Sequence, residues 1–106
     1  MAQQNLAFIT GHTRGGDTLE SALLSQLESF VELGRKNLVV VMDTFPNLED
    51  ATIAALQRLL RRASELGARV SCVALEDRIV TALRSIEQQQ TLRIIRRVDE
   101  IPGAAA

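Results

Sequence analysis

Few places in this sequence could support chemistry. The first is Gly11-His12-Thr13-Arg14-Gly15-Gly16-Asp17-Thr18, which lies between an apolar run and an amphipathic one and nearly spells the phosphate-cradling pattern G-x-x-x-x-G-K-[ST]. Asp17 stands where the lysine belongs. A carboxylate there would repel the phosphates that the cation is meant to touch, so the segment reads as a glycine-rich turn leading into a helix. His12 is the only histidine, and no Cys or carboxylate group has zinc-ligand spacing, so neither metal nor cofactor is expected. No serine occupies a G-x-S-x-G elbow, which leaves hydrolase chemistry without support. The single Cys72 lies in Val70-Ser71-Cys72-Val73-Ala74-Leu75, where a thiol is expected as core filler and not as a nucleophile. The sequence therefore does not read as that of an enzyme.

The elements that would position these residues follow from periodicity and capping. Asn5 to Thr10 reads as a strand, and Asp17-Thr18-Leu19-Glu20 as a helix start in which Asp17 caps and Glu20 reciprocates. Leu19, Leu23, Leu27 and Phe30 recur at helical spacing, and Gly34 falls where a left-handed residue ends a helix. Asn37 to Asp43 has continuous apolar residues, as a parallel strand buried on both faces should. Asn47-Leu48-Glu49-Asp50 repeats the capping pattern and opens a helix that runs to Gly67, with Ile53, Leu56, Leu59, Leu60 and Ala63 inward. Arg58, Arg61 and Arg62 fall on its solvated side, where Arg61 and Glu65 can pair. Arg69 to Leu75 is the third strand; Glu76 or Asp77 begins a helix with Ile79, Leu83 and Ile86 inward; Thr91 to Arg96 is the fourth strand. The predicted fold is α/β: about four mainly parallel strands with three main helices packed on the sheet.

Composition narrows the partners. A chain of 106 residues with 46% hydrophobic content builds one domain, here expected over residues 1–101 with residues 102–106 as a flexible tail. A formal net charge of -1 offers no basic field for a polyanion. With three Phe and no Trp or Tyr, a base-stacking platform cannot be built, so nucleic acid is not expected. The apolar runs are too short to span a bilayer, and Met1 to Asn5 lacks the features of a signal peptide, so a cytoplasmic protein without membrane insertion is expected.

One stretch covering most of the chain resembles a known family. Leu38-Val39-Val40-Val41-Met42-Asp43, then the helix Leu56 to Gly67 of the form LxxLLRRAxxxG, then Ala68-Arg69-Val70, is similar to the STAS pattern (sulphate transporter and anti-sigma factor antagonist). Glu76 to Leu83 looks like the family's third helix and Val98-Asp99-Glu100-Ile101 like its closing segment. The resemblance implies a non-enzymatic regulatory module that binds a protein partner through the N-terminal end of the second helix, at Asp43, Asn47, Glu49, Asp50 and Thr52. Family members carry D-S-[ST]-G there, and its first Ser is the usual phosphorylation target. Counting back without gaps from Gly67 puts Glu49-Asp50-Ala51-Thr52 on that motif and Asp50 on the phosphoserine position. Anchoring on Asp50 as the motif's Asp puts Ala51 there, and anchoring on Asp43 puts Thr52 there, which makes Thr52 the one candidate for phosphorylation.

In the family, phosphorylation releases the domain from an anti-sigma kinase. Asp50, with its single negative charge, would imitate the modified state, although it also serves simply as part of a helix cap. The implied partner is an anti-sigma kinase-like protein or another STAS or transport component. Because the chain begins too late for the family's customary first strand, it would leave an open sheet edge that suits pairing with a partner or with a second copy as a homodimer. Two alternatives remain: an adaptor subunit of a signalling scaffold or membrane transport complex, and a degenerate receiver or nucleotide-binding domain. Asp43 at a strand end followed by Pro46 resembles a receiver's phosphoacceptor loop, but paired acids after the first strand and a Lys after the last are missing.

Overall fold

The computed structural model describes residues 6–13, 18–45, 48–90 and 92–97. Strands and helices alternate: β1 (Leu6–Ile9), α1 (Leu19–Glu32), β2 (Asn37–Val41), a 3-10 turn (Met42–Thr44), α2 (Asp50–Glu65), β3 (Arg69–Val73), α3 (Asp77–Glu87) and β4 (Arg93–Ile95). All pairings are parallel and the order across the sheet is β1-β2-β3-β4. The α/β architecture expected from the sequence is the one observed.

Because each strand is laid down on the same side of its predecessor, right-handed crossovers place all three helices on one face of the sheet. The packing agrees. Ala7, Ile9, Leu38, Val40, Val70 and Cys72 join Leu23 and Leu27 of α1, Leu56 and Leu59 of α2, and Leu83 and Ile86 of α3 in one buried cluster. The alternate residues Val39, Val73 and Ile95 form a second, smaller buried cluster on the opposite face. A strand with apolar residues on both faces has no polar side to alternate with, which is why β2 reads as a continuous hydrophobic run.

Helix ends follow from particular residues. Gly34 and Gly67 have φ of +79° and +75°, and each closes a helix with the paired bonds of a Schellman turn. Arg35 N–H donates to the Phe30 carbonyl at 2.9 Å, and Ala68 N–H to that of Ala63 at 2.8 Å.

The starts differ from the sequence reading. Thr18, not Asp17, is the cap of α1, its hydroxyl accepting from Ser21 N–H at 3.1 Å; Asp17 lies outside the described residues. α2 begins at Asp50, and its cap is Glu49, which makes no side-chain capping bond. The shift from the expected cap at Asn47 has an apolar cause. Leu48, just before the cap, and Ile53, in the first turn, both pack against the core, at the two positions of a hydrophobic staple, and this anchors the chain one residue before the cap whose carbonyl takes the first helical bond. Strands also end earlier than read. β2 stops at Val41, where the chain enters the 3-10 turn and Thr44 Oγ1 donates to the Val41 carbonyl at 2.7 Å. The final five residues, expected to be a tail, lie outside the described residues.

Candidate functional site

The carboxyl ends of β1 and β2 are held by side chains from elsewhere. Gln26 of α1 accepts from Thr10 N–H at 3.1 Å and donates to Thr10 O at 2.9 Å, standing in for a neighbouring strand. Thr44 Oγ1 accepts from Gly11 N–H at 2.8 Å and donates to the Val41 carbonyl at 2.7 Å, tying the β1–α1 loop to the turn after β2. The Phe45 ring lies flat against Gly11, where a Cβ would stand 2.7 Å from its Cγ. Gly11 is thus required by close approach, a stronger reason than the loose turn the sequence implied.

On this frame, Asp43 lies in the turn after β2 and Glu49 and Asp50 at the start of α2, all three exposed. No hydrogen bond or ion pair joins their side chains to another described residue. Asp50 is the first residue of α2, where the helix dipole favours an anion. Asn47 lies outside the described residues. Thr52 is placed differently from the acids, being 5% exposed. Its side chain lines the groove between the first turns of α1 and α2 and makes no hydrogen bond to a described residue.

Beside the acids runs a groove of about 570 Å³ between the first turns of α1 and α2, lined by Gly11, Thr18, Glu20, Glu49, Thr52 and Arg58 among others. Glu20 and Arg58 close one side through an ion pair at 2.8 Å between half-exposed side chains. Sequence reasoning assigned these two to a cap and to a solvated face. Nothing in a single sequence signals the pair, because it depends on how α1 crosses α2. The Arg61–Glu65 pair expected along α2 is replaced by Arg62–Glu65 at 3.1 Å.

The rest of the chemistry is sparse. Cys72 is buried in the middle of the sheet, and burial pushes its thiol up to about 12, which keeps it protonated and unreactive at neutral pH. His12 is exposed. Among the described residues, no three His, Cys, Asp or Glu side chains group to hold a metal ion, and no helix is long and apolar enough to cross a membrane. Open parallel sheets take small ligands where the strand order reverses and a crevice opens between diverging crossovers. The order β1-β2-β3-β4 has no such reversal.

No family model and no curated protein sequence matches the chain. The fold is similar to that in the NMR structure of the protein TM1081, with a TM-score of 0.61 at 10% sequence identity, over 95% of this chain and 82% of that one. At that identity the likeness concerns the fold alone.

Proposed function

We propose that the chain is a non-enzymatic, cytoplasmic protein-binding module of the STAS, anti-sigma factor antagonist type, and that it docks a basic partner surface on Asp43, Glu49 and Asp50 at the carboxyl rim. The observation that carries this reading is the unpaired state of these three acids. Helix dipoles account for an acid in each first turn, and α1, α2 and α3 have Glu20, Asp50 and Asp77. They account for Glu49 at the cap of α2 as well, but not for Asp43, which lies in the turn after β2. Glu20 and Asp77 have cationic partners, while Asp43, Glu49 and Asp50 have none among the described residues. A fixed negative charge at Asp50, where the family resemblance expects a modifiable serine, fits a module held in one binding state.

A tagged chain and its Glu49→Lys/Asp50→Lys variant, passed over the same native lysate, test this reading. Wild type is expected to retain an anti-sigma kinase-like protein that the variant loses. An unchanged set of retained proteins would refute docking at this rim. Retention of a transporter ATPase in place of a kinase-like protein would move the chain to the adaptor reading. Asp50→Ser adds a second check: the retained kinase should label residue 50 of that variant, and a failure to do so would overturn the alignment of Asp50 with the acceptor position.

A further inference from the structure

The opposite, amino-terminal rim of the sheet carries a second feature that the proposed docking rim does not use. Among the described arginines, Arg58, Arg62, Arg78, Arg84 and Arg96 are ion-paired and Arg35 and Arg97 have partners, leaving Arg61, Arg69 and Arg93 without one. Arg61 is on the outer side of α2, but Arg69 and Arg93 are neighbours. Arg93 is in register with Ser71, two residues along β3 from Arg69, and Asn37 is in register with Arg69. Strand geometry puts the two arginine Cα atoms about 8 Å apart, a span that two guanidinium groups close readily on one oxyanion.

All four side chains share the face away from the helices, because Leu38, Val70 and Ile94 between them pack into the helix-side core. They border one depression of about 540 Å³ that runs over the amino edge of the sheet, from Val39 on their own face to Leu60, Ala63 and Val70 on the helix side. No carboxylate is among the described residues of that lining. The carboxyl end of α2 approaches the same rim, but Gly67 and Ala68 N–H bond the carbonyls of Ser64 and Ala63, so part of its negative end is already satisfied.

We infer that Asn37, Arg69, Ser71 and Arg93 form a binding site for a small organic oxyanion, a phosphate or carboxylate on a compact apolar body. Paired guanidinium groups supply forked donors, the Ser71 hydroxyl and the Asn37 amide add two more, and the apolar wall takes the ligand's body. The inference is independent of docking at the carboxyl rim.

The test is a titration of the ¹⁵N-labelled chain, at constant ionic strength, with phenyl phosphate, benzoate and inorganic phosphate. Phenyl phosphate or benzoate is expected to shift the Asn37 and Ser71 amides and the Arg69 and Arg93 Nε–H signals saturably, at least tenfold more tightly than inorganic phosphate. Which of the two binds more tightly assigns the head group. In Arg69→Gln/Arg93→Gln, affinity should fall at least tenfold with an unchanged melting temperature. Shifts that do not saturate, that survive the double substitution, or that spread equally to Arg61 and Arg78 would overturn the site.

Discussion

The two rims of this sheet are built oppositely. The carboxyl rim is locked by contacts between distant residues: Gln26 on Thr10, Thr44 on Gly11, Phe45 against Gly11. The amino rim is entered through Schellman turns at Gly34 and Gly67, where an added Cβ would meet nothing within 4 Å. One rim is held by packing, the other by local backbone conformation. Charge follows the same division, because helices antiparallel to the strands present their amino ends to one rim and their carboxyl ends to the other. Acids in the first turns and Arg62 and Arg84 in last turns are what the dipoles select. The charges that exceed this requirement are Asp43 at one rim and Arg69 and Arg93 at the other.

The largest expected effect breaks the interlocked rim. Phe45→Ala removes a nearly buried ring and should cost about 3–5 kcal/mol, a large part of the stability of a domain this size. Gly11→Ala alone should cost about 1–3 kcal/mol by overpacking, and the double variant less than the sum, since the new methyl enters space the ring has left. Urea unfolding of the three chains measures this; strict additivity would mean that the ring and the glycine do not constrain each other.

Cys72 lies between the rims and sharpens the comparison by its independence of both. With its thiol shifted from an ordinary 9.0 to about 12, the unfolded chain loses that proton first as pH rises. The contribution to stability is therefore whole below about pH 9 and lost progressively toward pH 12. The gap in urea midpoint between wild type and Cys72→Ala should narrow across that window, and a constant gap would show a thiol that titrates alike in both states.

At the amino rim the effects are smaller and conformational. Gly34→Ala and Gly67→Ala force a side chain into the left-handed region without a clash, so each should cost about 1 kcal/mol. Asn in place of Ala should recover part of the loss, because its short polar side chain tolerates that conformation. Were the losses as large as that of Phe45→Ala, the amino rim would be interlocked too.

These two modes of construction also explain what was legible in the sequence. Gly34 and Gly67 announce themselves through periodicity followed by glycine, and the helix faces around Leu23, Leu59 and Leu83 through spacing alone. The order of elements and the parallel sheet followed from these local signals. The carboxyl rim was read less well. The cap of α2 is Glu49 and not Asn47, and Thr52, a candidate acceptor of phosphate, lines the groove beside α1 with little of its surface exposed. Bonds such as Gln26 to Thr10 link residues 16 apart, and Thr44 to Gly11 33 apart, with no repeating pattern to betray them. The acids Asp43, Glu49 and Asp50 were visible as residues, but their lack of partners is a property of the folded chain.

The smallest expected effect on stability concerns the ion pair that borders the groove. Glu20 and Arg58 are 42% and 67% exposed, so water screens the attraction and Arg58→Ala should change stability by no more than about 0.5 kcal/mol. Its effect on binding should be larger and of a definite sign. Arg58 is the one cation among the described residues lining the groove, and removing it leaves Glu20 unpaired beside Glu49. A basic partner should then associate faster and more tightly, most clearly at low salt, where charges this far apart are least screened. Loss of the partner in Arg58→Ala would mean instead that the partner is acidic or grips the arginine itself. The amino rim should be indifferent: phenyl phosphate affinity in Arg58→Ala should match wild type, since α2 and the sheet separate the two surfaces.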